Sequence, residues 1–317
     1  MSETNRGKMT FLELVFPPIS NQEAVRFKNE PVAEQMKQSD FYMIAGKACS
    51  TFSNKQFDPK TQTLSFDILI GDDVKSSGAI KMLALEPIKK YLGECRVSGG
   101  IDFIEFCYLK DDGWYTLASF TPENILWYRS RNTEGILGFD NYKELLTYDL
   151  LYVGIAKVGD SYERLIAKGH HARQEILSNE PQRLPGARVS DEIFLFLFRL
   201  EPLFITTYGV NSKIDLEVEY DHKAIVADAE KAYVSLLEPN YNTVRFKQYP
   251  KGNDGLYDSN LDRYCYIIAE MLTFNTPNGT IKGARDPMGF PGNEADFIFV
   301  DKKSAKLFIS GVDFADE

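Results

Sequence analysis

The chain is expected to be an α+β protein, and three observations carry that expectation. Apolar runs of strand length recur along it, the clearest being "IFLFLFRL" at 193–200, apolar on both faces as a central buried strand is. One stretch, 222–237, keeps a helical period over its whole length. Around these, turn-forming Gly, Asn and Asp separate the segments, and no repeat or low-complexity tract replaces them.

In chain order, residues 1 to about 145 read as a mixed α+β region. "TLSFDILIG" (63–71), "IDFIEFCYL" (101–109) and "WYTLASF" (114–120) have strand patterns, and "AIKMLALEPIKKYLG" (79–93) reads as a helix ending at Gly93. "LLYVGIA" (150–156) is a short apolar strand. "DSYERLIAKGHHARQEIL" (160–177) is helical, capped by Asp160 or Ser161 and weakened at Gly169. "PQRLPGARVSD" (181–191) is loop. "KIDLEVEY" (213–220) alternates, and Asp215, Glu217, Glu219 and Asp221 share one face; the opposite face is apolar, so the acids read as the wet side of an edge strand rather than a metal cluster. Beyond Pro250 a helix is expected near 260–273 and strands near 296–300 and 306–310. The expected division is an N-terminal α+β region (1–145), a central α/β unit (146–250) with a small antiparallel sheet flanked by helices, and a mixed C-terminal extension (251–317).

The 222–237 helix has one residue out of pattern. With Val226 at zero on a wheel turning 100° per residue, Ala229, Tyr233, Leu236 and Leu237 gather around it. Glu230 falls at about 40°, inside the apolar stripe, while Asp228, Lys231 and Glu238 point away. A buried, unpaired carboxylate costs several kcal/mol, so Glu230 must face a partner or a cation. The helix then ends in Pro239-Asn240-Tyr241-Asn242.

Composition narrows the classes. Apolar content of 44% and charged content of 26% suit a soluble globular protein. No apolar run reaches the ~18 residues of a membrane span, and no signal-peptide pattern opens the chain. Cys49, Cys95, Cys107 and Cys265 form no CxxC pair, which suits reduced thiols in a cytoplasmic protein. A net charge of −10 argues against coating nucleic acid with the whole surface. The middle region differs: Lys157, Arg164, Lys168, Arg173, Arg183 and Arg188 outnumber the acids of 157–188, and Arg245, Lys247 and Lys251 follow.

"LYVGIAKVGDSYERLIAKGHH", followed about 60 residues later by "AEKAYVSLLEPNYN", resembles the GIY-YIG nuclease superfamily over about a third of the chain. Tyr152-Val153-Gly154 resembles the family's Tyr-Ile-Gly strand, Arg164 its helix arginine, Glu230 its metal-binding glutamate and Asn242 its closing asparagine. The resemblance implies a nuclease that uses Mg²⁺ or Mn²⁺ on Glu230, with DNA favoured over RNA, in settings such as restriction or anti-phage defence. The residue types suit that chemistry. Mg²⁺ takes one or two protein carboxylates and keeps several waters. An Arg164 fork suits a non-bridging phosphate oxygen. Tyr152 would orient or deprotonate the attacking water, with His171 or its neighbour His170 as a general base. Lys157, Lys168, Arg173, Arg245 and Lys247 would bind the substrate backbone.

The sequence departs from the family in two places. The Gly-Ile-Tyr element that belongs about ten residues before Tyr-Ile-Gly is missing; Tyr148 is assigned by proximity, and Gly113-Trp114-Tyr115 would require a long insertion. The position four residues after Arg164 is Lys168 where the family often has His. These departures leave a second reading, a catalytically degenerate module that binds nucleic acid, a nucleotide signal or a protein without cleaving. Residues 1–145 would serve recognition, a protein partner or homo-oligomerisation. A rival metal signal, Asp286 with Asp301-Lys302-Lys303, loosely fits the PD-(D/E)xK pattern, but such a match arises easily by chance and a charged turn after an apolar strand explains it.

Overall fold

The computed structural model describes residues 5–27, 32–86, 88–90, 95–110, 113–208 and 220–312. The fold is α+β. A ten-stranded mixed sheet runs, edge to edge, through Gly279–Lys282, Thr273–Thr276, Thr147–Ile155, Phe41–Gly46, Ile193–Thr207, Asn5–Leu14, Arg263–Ile268, Phe297–Asp301 and Ala305–Phe308; Ile19–Ser20 pairs with Ile193–Thr207 beside this path. Two pairings are parallel, Thr147–Ile155 with Thr273–Thr276 and Asn5–Leu14 with Arg263–Ile268. Strands from all three expected regions interleave here, so the division at 145 and 250 follows no boundary in the sheet.

The burial of Ile193–Thr207 records its place. Residues 193–198 are buried on both faces, and from Arg199 onward burial alternates, the second half being covered on one side only by the described residues. Helix His222–Leu237 packs on one face of the sheet with Phe41, Phe198 and Tyr266. The opposite face of Phe41–Gly46 and its neighbours is covered by Ala24, Met36, Leu165, Ile166 and Ile176.

Residues 47–146 form an insertion between two strands that pair directly, Phe41–Gly46 and Thr147–Ile155. It contains a four-stranded sheet (Ser50–Asp58, Thr63–Ile70, Asp73–Lys81, Ile136–Gly138), a three-stranded sheet (Cys95–Ser98, Ile104–Lys110, Gly113–Phe120) and helix Pro122–Ser130. Its root is fixed by Lys47, whose buried ammonium donates to Glu123 Oε1 and to the Leu145 carbonyl, both at 3.0 Å. It also lies 4.9 Å from the Tyr148 ring centre.

Three expected helices are corrected. Within 79–93, Ala79 and Ile80 belong to strand Asp73–Lys81, where Ile80 is buried opposite Leu64, and among the described residues short 3₁₀ turns follow, at Met82–Ala84 and Ile88–Lys90. Near 260–273 the chain forms strand Arg263–Ile268, whose β-branched and aromatic "RYCYII" is hydrogen-bonded on both sides. The 160–177 helix is broken: Gly169 adopts φ +77°, separating a π-type turn, Glu163–Ala167, from helix His171–Asn179. The strand expected at 213–220 lies, except for Tyr220, outside the described residues. Asp221 caps the next helix by accepting from the Lys223 N–H.

All four cysteines are free thiols. Among the described residues no helix is long and apolar enough to cross a membrane. Asp301 is bonded to the Lys303 and Ser304 N–H groups and Asp286 to those of Met288 and Phe290, so the rival metal pair consists of two turn-closing aspartates.

Candidate functional site

Strand pairing builds the site. Gly154 lies opposite Tyr42 and Tyr152 opposite Ile44, so the two tyrosines are diagonal neighbours on one face. Their rings stack at 6.2 Å with 22° between planes. Glycine at 154 has a steric reason: a Cβ there would sit 2.7 Å from the Tyr42 hydroxyl and from the Tyr152 ring. Tyr42 was not foreseen. It stands beside Tyr152 on a strand separated from it in sequence by the whole insertion.

Tyr148 is corrected. A bulge between Leu150 and Tyr152 reverses the alternation of side chains, so Tyr148 points to the other face. There it is buried against Phe194, Phe196 and Phe274, remote from Tyr152. His171 is corrected too. The break at Gly169 turns it outward, 93% exposed and 3.8 Å from Glu175, while His170 turns in. His170 Nε2 lies 2.9 Å from the Tyr42 hydroxyl, and its ring meets Tyr152 edge-on at 5.3 Å. Burial lowers its pKa to about 4, helped by Arg164, so the ring is neutral at pH 7.

Arg164 is exposed at the start of the π-type turn, where Asp160 caps the Glu163 N–H at 2.7 Å. Burial raises the Tyr42 phenol pKa; Tyr152 adds to the rise and Arg164, hydrogen-bonded to it, opposes it. Tyr152 is raised by burial and then by the negative charge of Glu230, with Arg164 again opposing. Glu230 is half-buried, and desolvation lifts its pKa to about 7 against the pull of Lys157 and Arg164. Its carboxylate accepts no hydrogen bond and makes no ion pair among the described residues. Tyr42, Tyr152, Arg164 and Glu230 therefore share one electrostatic neighbourhood.

Asn242 completes the site from the side. Its amide accepts the Val153 N–H at 2.9 Å and donates to the Val153 carbonyl at 2.8 Å, replacing a neighbouring strand where Thr147–Ile155 has a free edge. Glu238 makes the turn into this segment in the left-handed region, at φ 47°. Tyr241 N–H bonds the Leu151 carbonyl at 3.0 Å, so the segment runs along the strand.

The expected substrate-binding cations divide. Lys157 and Lys168 line a hollow of about 400 Å³ with Arg164 and His170, although Lys168 is paired to Glu163 at 2.6 Å. Arg173 is buried, bonded to Asn21 and the Leu165 carbonyl, and so is a structural residue and not a substrate contact. Arg245 holds the Pro239 carbonyl at 2.7 Å, and Lys247 is exposed. The wheel also misplaced two charges. Asp228 is 1% exposed and accepts from the hydroxyls of Tyr249, Tyr264 and Tyr266 and from the Leu256 N–H; Lys231 is buried beside Asp254. Residues 249–264 cover the face of the helix that was expected to be wet.

No group of three or more His, Cys, Asp or Glu suited to a metal occurs among the described residues; a site built on one carboxylate needs none. No family model matches the chain, and neither a curated protein nor a solved structure matches it.

Proposed function

We propose that the chain is a metal-dependent nuclease whose site is similar to that of GIY-YIG enzymes. The observation that carries this reading is the unpaired, desolvated Glu230 carboxylate, grouped with Arg164 and a stacked tyrosine pair. In this reading the antiparallel trio Thr147–Ile155, Phe41–Gly46 and Ile193–Thr207 is the core of the catalytic unit. Residues 47–146 are an insertion within it.

Glu230 fits a hard divalent cation: its oxygens are uncommitted and its burial favours a positive partner. When bound there, Mg²⁺ or Mn²⁺ supplies positive charge against the pentacovalent phosphorus and the leaving oxygen. Arg164 donates to a non-bridging phosphate oxygen. Tyr152 holds the attacking water by its hydroxyl. Tyr42 takes a proton from that water as it passes its own to neutral His170 at Nε2; the water oxygen bonds to phosphorus, and the leaving oxygen departs with the electron pair of the broken P–O bond and takes a proton from solvent. Asn242 fixes the strand that carries Tyr152. DNA is the favoured substrate, and restriction or anti-phage defence the setting that the resemblance implies.

The test is plasmid cleavage in Mg²⁺ or Mn²⁺ by the wild type and by Glu230→Ala, Arg164→Ala and Tyr42→Phe. The expectation is cleavage by the wild type, none with the first two variants, and a loss of about 10²-fold or more with the third. Cleavage that persists in Glu230→Ala and Arg164→Ala overturns the reading. DNA binding without cleavage under either metal favours the non-cleaving module instead.

A further inference from the structure

Among the described residues a second hollow opens beside the one at Arg164 and His170. It encloses about 700 Å³, within the ~300–1,000 Å³ range of small-molecule sites. Both hollows are lined by Lys157 and Val158, which therefore form the ridge between them. Val158 is 90% exposed on that ridge. Helix His222–Leu237 supplies Val226 and Ala227 to the second hollow, and the next side chain along that face of the helix is Glu230. Lys157 and Arg164 are the two cations that act most strongly on Glu230. One stands on the ridge and the other in the first hollow, so the two hollows meet at the charges that would hold a scissile phosphate.

The hollows differ in charge. The first sets Lys157, Arg164 and Lys168 against Glu163, which suits an anion. The second sets Asp40, Asp221 and Asp254 against Lys157, Lys223 and His222. Asp40 is paired with His222 at 2.5 Å, and Asp254 with Lys231. Much of the remaining wall is apolar, from Ile155, Val158, Val226 and Ala227. A phosphate would meet three carboxylates there. An uncharged, flat group would meet an apolar wall with acceptors at its edge. A nucleobase is such a group: its face packs on apolar surface, and an exocyclic amino group on its edge donates to a carboxylate. Within a duplex that base is stacked and its edge is paired, and the complementary strand adds a second row of phosphates beside the acids. A single strand presents the base at little unstacking cost.

We infer that the second hollow receives one unpaired nucleobase while the adjoining phosphate lies across Lys157 and Arg164, so that the substrate is single-stranded DNA and continuous duplex is excluded. The inference rests on the nuclease reading and adds the form of its substrate. The strand keeps its backbone in the cationic hollow, turns at Val158 and lays the next base against Val226 and Ala227, one helical turn from Glu230. Val158 stands where an apolar side chain can hold two successive bases apart and stop the turned-out one from restacking.

Fluorescence anisotropy in Ca²⁺ tests this with labelled oligo(dC), a strand of the same length and phosphates but abasic throughout, and a hairpin duplex. The wild type should bind oligo(dC) about tenfold or more tightly than the abasic strand, and the duplex no better than the abasic strand. Ala227→Phe fills the hollow and should bring oligo(dC) down to the abasic level, with abasic binding changed by less than about twofold. Val158→Ser alters a side chain too exposed to affect folding and should cut the preference by about threefold or more. Equal binding of oligo(dC) and the abasic strand, duplex binding as tight as oligo(dC), or a preference unchanged in both variants would each overturn the inference. Cleavage in Mn²⁺ separates the two readings. Duplex cut as fast as single strand overturns the inference alone, and a base-dependent preference with no cleavage of any form overturns the nuclease reading alone.

Discussion

Replacing Glu230 by glutamine should make the metal-free protein more stable, and only above a defined pH. Burial raises the folded-state pKa from 4.5 to about 7. At 1.36 kcal/mol per pH unit this corresponds to roughly 3 kcal/mol, which water reaching the half-buried carboxylate reduces to about 2 kcal/mol. Between pH 4.5 and 7 the folded state holds a proton that the unfolded state has released, so wild-type stability falls as pH rises through that window and is level above it. Glutamine carries no such charge. In EDTA the variant and wild type should therefore coincide near pH 4.5 and differ by about 2 kcal/mol at pH 8, a rise in Tm of about 3–5 °C. Saturating Mn²⁺ should reverse the order, because a ligand at 100 times its Kd adds about 2.7 kcal/mol to the wild type alone. Thermal and denaturant unfolding at the two pH values, with and without Mn²⁺, read both effects. If the Glu230→Gln variant proves no more stable than wild type at pH 8, or its advantage persists undiminished at pH 4.5, the carboxylate is not desolvated and unpaired.

Three further outcomes follow from the same geometry. Asn242→Ala removes both bonds to the Val153 backbone and should cost about 2–4 kcal/mol in a urea titration, with the loss independent of pH. Tyr148→Phe and His171→Ala should leave any cleavage rate within about twofold; the Tyr148 hydroxyl is buried without a partner, so its removal should raise Tm slightly. Lys8 is 2% exposed above the rings of Tyr264 and Tyr266, and burial lowers its pKa to about 7 against the pull of Asp228. The unfolded lysine binds the extra proton between pH 7 and 10.5, so wild-type stability should rise across that range. Lys8→Met should stabilise by on the order of 3 kcal/mol near pH 6, with the gain fading by about pH 10.5.

Local signals in the sequence were reliable where the structure is local. Helix His222–Leu237 starts and ends where its cap and its Pro-Asn-Tyr-Asn tail place it. Tyr152, Arg164 and Glu230 come into one neighbourhood, and Asn242 clasps the backbone of the residue after Tyr152. The errors arose where distant segments decide. Tyr42 could have been found only by asking which apolar run elsewhere, here "FYMIAG", could pair with "LYVGI" and bring a tyrosine opposite the glycine. Tyr148 was misjudged because a single-residue bulge changes which face a strand residue occupies, and alternation alone does not reveal one. His170 replaced His171 because Gly169 left the helix for the left-handed region. Asp228 read as a wet residue because its three tyrosine partners come from residues 249–266, which the wheel of one helix cannot include.

The insertion at 47–146 also sets an order of assembly. Bringing Tyr42 to Tyr152 across an unstructured loop of about a hundred residues would cost about 4 kcal/mol in chain entropy. Two small sheets of largely hairpin-like contacts can form inside that loop first and shorten it. Glu230 leaves the ribosome later still. A nascent or truncated chain that stops before the 222–237 helix thus holds a tyrosine pair and an arginine without their carboxylate, so whatever this site does is withheld until most of the polypeptide has been made and folded.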